Sequence, residues 1–82
     1  MPINVLLIRE IDKYIRSKSG GLHKVFAKKL SVSQSTLSRH IRFMKDNGAP
    51  IRYDYMHKTH YYDRTGCFDF SFIDGKQQKD AA

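Results

Sequence analysis

One cysteine, two prolines, no tryptophan and only eight acidic residues among 82 leave several classes of protein without their raw material. Cys67 cannot close an internal disulfide and has no CxxC companion for a zinc site, which excludes a disulfide-stapled scaffold and suits a reducing, cytoplasmic setting. No apolar run approaches the roughly 18 residues that a membrane span needs, so no membrane partner is expected. The opening "MPINVLLIRE" lacks the basic start and small-residue cleavage site of an export signal. There is no Ser-His-Asp arrangement, no carboxylate pair with a pocket to hold it and no Gly-rich phosphate loop; neither an enzyme nor a cofactor is expected. His57, His60 and Cys67 invite a metal reading, but the two histidines are three apart, on opposite faces of a strand, and no further ligand completes a set.

What the chain does have is positive charge, with 15 Lys and Arg giving a formal net +7. The excess is local. Residues 51–82 balance their bases against their acids, whereas residues 21–50 carry Lys24, Lys28, Lys29, Arg39, Arg42 and Lys45 against Asp46 alone. Such a basic segment implies a polyanionic partner.

With 82 residues, one domain with a single core is expected, over 1–75, followed by a disordered polar tail at 76–82. Ile3, Leu7, Ile11, Tyr14 and Ile15 recur at three-and-four spacing and predict a first helix over 1–19, stopped by the glycines of "SGG" at 19–21. Leu22, Val25, Phe26 and Leu30 suggest a short second helix with Lys24, Lys28 and Lys29 facing away. Then "SVSQSTLSRH" places Ser31 in a turn, Val32 as an apolar plug and Ser33 as an N-cap accepting from the N–H of residue 35 or 36. A third helix follows over 34–47, burying Leu37, Ile41 and Met44 and closed by Gly48.

Past Pro50 the period shortens to two. "IRYDY" and "HYYDR" read as strands about a "MHKT" tip, a hairpin over 51–64 with Ile51, Tyr53 and Tyr55 on one face. "CFDFSFID" alternates strictly, so 67–73 reads as one extended segment whose Phe68, Phe70 and Phe72 cover the first helix or form an interface.

The stretch "FAKKLSVSQSTLSRHIRFMKDNGAPIRYD" resembles the N-terminal segment of DeoR-like and WYL-domain bacterial transcriptional regulators. Ala27, Leu30, Val32, Ser33, Thr36, Leu37, Arg39, Ile41, Met44, Gly48, Pro50 and Ile51 stand at the family's positions. The likeness covers Leu22 to about Tyr62, half the chain, and implies an α+β winged helix-turn-helix: three helices, a β-hairpin wing and a short C-terminal extended segment. Two departures matter. Ser31 replaces the usual Gly, which requires a backbone clear of strongly positive φ, and His40 replaces a frequent Asp, so no Arg–Asp orienting pair is carried over. The sensor domain that follows in WYL regulators has no counterpart within these 82 residues.

The resemblance implies sequence-specific binding of double-stranded DNA and transcription regulation. The third helix would enter the major groove with Ser33, Gln34, Ser35, Thr36, Ser38, Arg39 and Arg42, Arg suiting guanine and Gln adenine. Lys24 and Lys28 on the second helix, with Arg52, His57, Lys58 and Thr59 about the wing tip, would meet phosphates or a minor groove. A homodimer through the Phe segment or the first helix fits the two-fold operators of such regulators. Alternatives are a winged helix serving as a protein–protein interaction module without DNA, and the DNA-binding part of a longer regulator. For individual residues the plainer readings also stand: a capped, solvated helix start, solvent-facing lysines, an idle wing tip, and tyrosines that close the core rather than stack bases.

Overall fold

The computed structural model describes residues 3–68 and 72–74. The chain forms helices α1 (Val5–Arg16), α2 (His23–Lys29) and α3 (Gln34–Asp46), then strands β1 (Ile51–Asp54), β2 (Thr59–Tyr62), β3 (Gly66–Phe68) and β4 (Phe72–Asp74). β1 pairs antiparallel with β2, from Ile51 opposite Tyr62 to Asp54 opposite Thr59. This is the α+β winged-helix layout: three helices followed by a β-hairpin.

Each helix owes its place to a narrow apolar stripe. α1 buries Leu7, Ile8, Ile11 and Ile15, α2 buries Phe26 and Ala27, and α3 buries Leu37, Ile41 and Met44 against the same core. The first helix is shorter than 1–19 because Asn4 caps it, its side chain accepting from the Leu7 N–H at 3.1 Å; Ile3 lies before the cap. Leu22 and Val25, expected on the buried face of α2, are exposed, since Leu22 is itself the N-cap and Val25 lies about 100° around from Phe26.

All three helices end in the same closure. The residue two beyond the C-cap donates to the carbonyl five positions back: Ser19 to Tyr14 at 3.0 Å, Val32 to Ala27 at 3.0 Å and Ala49 to Met44 at 2.9 Å. The geometry demands a left-handed residue in between. Gly48 supplies it for α3 with φ 97°, but Lys18 (φ 54°) and Ser31 (φ 58°) take it in α1 and α2. The stop of α1 is thus Lys18 rather than the glycines, and Ser31 does adopt the positive φ that it was expected to avoid. Gly20 serves another purpose: its backbone lies on the Phe26 ring, where an added Cβ would stand 3.0 Å away. A left-handed L-residue costs about 1–2 kcal/mol, part of which Gly returns through its freer unfolded chain. Ser31→Gly is therefore expected to raise stability by about 0.5–1 kcal/mol, read from the midpoint of urea unfolding.

The C-terminal segment differs from one continuous strand. β3 and β4 run antiparallel with Phe68 opposite Phe72, so the apolar alternation belongs to two arms of a second hairpin. Phe68 is buried against Phe43, ring centroids 6.4 Å apart, and Phe72 meets Tyr62 edge-on at 5.0 Å. These two rings pack on the core, the first of the two roles expected for the segment; Phe70 and the tail at 76–82 lie outside the described residues.

Two buried polar side chains lock the helices in place. Asp12, 5% exposed, accepts at Oδ1 from the Tyr62 hydroxyl at 2.7 Å and from the Phe68 N–H at 2.9 Å, while Oδ2 pairs with Arg16 Nε at 2.9 Å. One carboxylate thus ties α1 to β2 and β3. Burial, then the bond to Asp12, pushes the Tyr62 hydroxyl well above the usual tyrosine range. His40, 2% exposed, stands 2.8 Å at Nδ1 from the Thr36 carbonyl and accepts at Nε2 from the Asn4 N–H at 3.1 Å. A carbonyl only accepts, so Nδ1 carries the proton and the ring bridges the start of α1 to the first turn of α3. Where an acid was missing beside Arg39, a core histidine stands instead.

Candidate nucleic-acid interface

α3 begins with a cap that leaves its polar residues outside. Ser33 Oγ accepts from the Thr36 N–H at 3.1 Å and donates to Thr36 Oγ1 at 3.0 Å, satisfying one orphan donor of the first turn. Val32 packs on the core ahead of the cap and Leu37 is fully buried after it. With Leu37, His40, Ile41 and Met44 inward, the 100° step leaves Gln34, Ser35, Ser38, Arg39, Arg42 and Lys45 exposed on the opposite side. Arg39, Arg42 and Lys45 have no carboxylate partner among the described residues. Thr36 stands apart from this set: it is half-buried and committed to Ser33 and to His40.

Beside that face lies a relay the chain's order conceals. His23, at the start of α2, sits with Nε2 2.9 Å from Ser38 Oγ and 3.1 Å from the Gln34 carbonyl, and with Nδ1 3.4 Å from His60 Nε2. His60 belongs to β2, so the relay joins α2, α3 and the wing. Its ring also meets Tyr53 at 4.9 Å and Phe26 at 6.0 Å. Burial, with the nearby charges of His23 and Lys45 as lesser causes, lowers its pKa to about 4. Since the unfolded imidazole titrates near 6.5, the unfolded chain binds more protons between those values. Stability should then fall as pH drops from about 6.5 toward 4 by about 1–2 kcal/mol once solvent screening of the partly exposed ring is allowed for. His60→Phe, compared with wild type by thermal unfolding at pH 4.5 and 7, is expected to remove most of that drop.

The supporting helix and the wing split the remaining expected contacts. Lys24 and Lys28 are exposed. Lys29 turns away from them, donating to the Ser19 carbonyl at 2.7 Å and lying over the Tyr14 ring. In the wing, Arg52 is engaged by Asp63 (3.1 Å) and His57 Nδ1 by Asp54 (2.6 Å). Asp54 also accepts the N–H groups of Met56 and His57, which folds the tip, and the His57 side-chain bond holds its carboxyl below the usual range. Lys58 is exposed with φ 53°. Thr59 is no part of the tip: it opens β2, buried, accepting from the Gly21 N–H at 3.2 Å. The tip is instead Tyr55 to Lys58, with Tyr55 83% and Met56 86% exposed, whereas Tyr62 is buried and Tyr53 and Tyr61 are half-buried.

The fold therefore gathers Gln34, Ser35, Ser38, Arg39 and Arg42 on one surface and adds three side chains that were not singled out as site residues, Lys45, His23 and His60. Lys45 was detectable, since Ser38, Arg42 and Lys45 follow the four-then-three spacing of one helix face. The His23–His60 pairing joins residues 37 apart and had no local signal. No group of three or more His, Cys, Asp or Glu able to hold a metal occurs among the described residues, and no helix there is long and apolar enough to cross a membrane. Comparison of the chain with protein-family models, with curated proteins and with solved structures returns no match.

Proposed function

We propose that this chain binds double-stranded DNA sequence-specifically as a winged helix-turn-helix transcriptional regulator of the DeoR-like and WYL-domain type. The observation that carries the reading is the outward face of α3, where Arg39, Arg42 and Lys45 are exposed beside Gln34, Ser35 and Ser38 without a carboxylate partner among the described residues. A helix fits the major groove, which is about 12 Å wide, and short Ser side chains at its first turns let the backbone approach closely. Arg39 and Arg42 are the candidates for guanine edges and Gln34 for adenine. Lys24, Lys28 and Lys58 supply charge toward phosphates, while Arg52 and His57, already held by Asp63 and Asp54, contribute less.

Such binding must release counterions. With about six phosphates contacted, affinity for duplex DNA should fall by about three decades between 50 and 200 mM salt, as followed by fluorescence anisotropy. No binding at 50 mM salt would overturn the reading and favour the interaction-module alternative.

A further inference from the structure

We propose that the cleft between α3 and the wing is an oxyanion site which takes a phosphate-type group and couples its binding to uptake of a proton by the paired imidazoles of His23 and His60. The cleft has a volume of about 310 Å³ and is lined by His23, Ser38, Ile41, Arg42, Lys45 and His60. Five of these six side chains can donate a hydrogen bond, two carry fixed positive charge, and no carboxylate among the described residues lines the space. Ile41 forms the apolar floor. A tetrahedral oxyanion satisfies this set, and a cation does not.

The proton follows from the hydrogen-bond order. The Gln34 carbonyl can only accept, so His23 Nε2–H donates to it, with Ser38 Oγ as the neighbouring partner. In neutral His23 the other nitrogen, Nδ1, is then an acceptor, and His60 Nε2–H is its donor. The empty pair thus holds one proton on each ring, and burial, with the charges of His23 and Lys45 as lesser causes, disfavours a second proton on His60. An anion in the cleft reverses the local sign, and one proton passes from solvent to an imidazole nitrogen of the pair, making it an imidazolium. The groups that face the pair are Phe26 from α2, Ser38, Arg42 and Lys45 from α3, and Tyr53 from β1.

Two sources share this chemistry, the phosphodiester of a DNA backbone and a free phosphate-type ion. The first rests on the DNA-binding reading above; the second does not. Sulfate is a suitable probe because its charge is constant across the range. In an NMR titration of the 82-residue chain, the ring protons of His23 and His60 should shift saturably with sulfate, about tenfold more tightly at pH 5 than at pH 7.5. Arg42→Gln with Lys45→Gln, both at exposed positions, should weaken binding at least about tenfold at either pH. His60→Phe should retain binding at pH 7.5 and lose the pH dependence. Shifts linear in sulfate at both pH values, or equal affinities at pH 5 and 7.5 in the wild type, would overturn the proposal. Duplex DNA that displaces sulfate identifies the backbone as the source; DNA that binds without displacing it assigns the site to a free ion. Saturable sulfate binding with no DNA binding sinks the function proposed above but not the site, and DNA binding with no saturable sulfate does the reverse.

Discussion

Asp12→Ala is expected to lower the unfolding free energy by about 3–4 kcal/mol, a large part of the roughly 4–12 kcal/mol available to a domain of this size. The carboxylate is 5% exposed and accepts both the Tyr62 hydroxyl and the Phe68 N–H at one oxygen. Removing it takes from the Tyr62 hydroxyl and the Phe68 N–H the carboxylate oxygen they share and from Arg16 its buried counter-charge, and the loss of a buried hydrogen-bonded carboxylate costs several times about 1 kcal/mol. Asp12→Asn keeps a carbonyl oxygen for the two donors and should cost less, about 1–2 kcal/mol, which separates the acceptor from the charge. Tyr62→Phe removes one bond of the pair and should cost about 1 kcal/mol. The Tyr62 hydroxyl is also held above its ordinary value of 10.0, so the folded chain keeps a proton that the unfolded chain loses. Stability therefore declines as pH rises past about 10, and Tyr62→Phe should blunt that decline. Urea unfolding across the series checks all three substitutions; a loss for Asp12→Ala below about 1 kcal/mol would mean that water replaces the carboxylate.

Arg39→Ala combined with Arg42→Ala is expected to weaken duplex binding about a hundredfold or more at 100 mM salt while leaving stability within about 0.5 kcal/mol of wild type. Both side chains are exposed and have no carboxylate partner among the described residues, so their loss should not disturb the fold. The test gains its force from a second pair. Lys24→Ala with Lys28→Ala should flatten the log–log salt dependence by about two units and weaken all sequences alike, since phosphate contacts carry no base identity. The arginine pair should in addition reduce the difference between a selected duplex and a scrambled one. Undiminished binding by the arginine double variant would remove α3 as the reading element, whatever the lysines do.

The parts of this structure that were legible in the sequence depend on neighbours within about one helical turn. Leu37, Ile41 and Met44 declared the inner face of α3 by spacing, and Ser33 declared its cap by residue type and position. Strand period put Ile51 and Tyr53 on one face and marked the first hairpin, but Tyr55, assigned to the same face, falls beyond β1 in the exposed tip. What escaped needs partners far along the chain: Asp12 meets residues 50 and 56 positions away, and His40 meets one 36 away. A histidine on a helix face carries no mark of whether it faces water or a backbone amide. The Phe68 to Phe72 segment misled for a different reason. Alternation of period two is satisfied equally by one long strand and by two short arms, and only the pairing of Phe68 with Phe72 distinguishes them. The stop of α1 was misplaced because glycine is the usual left-handed residue, yet here the helix ran out of register with its glycines and Lys18 took the conformation.

The histidine bridge gives one backbone amide an unusual duty. Asn4 is the N-cap of the first helix, a position whose amide has no partner within the helix and would ordinarily exchange its hydrogen freely with solvent. Its N–H is instead anchored to His40, whose other nitrogen grips the first turn of α3. The exchange rate of that single hydrogen is thereby a gauge of how firmly α3 is seated. Any event that levers the helix outward from the core, or tugs on the chain ahead of residue 4, registers at the same atom.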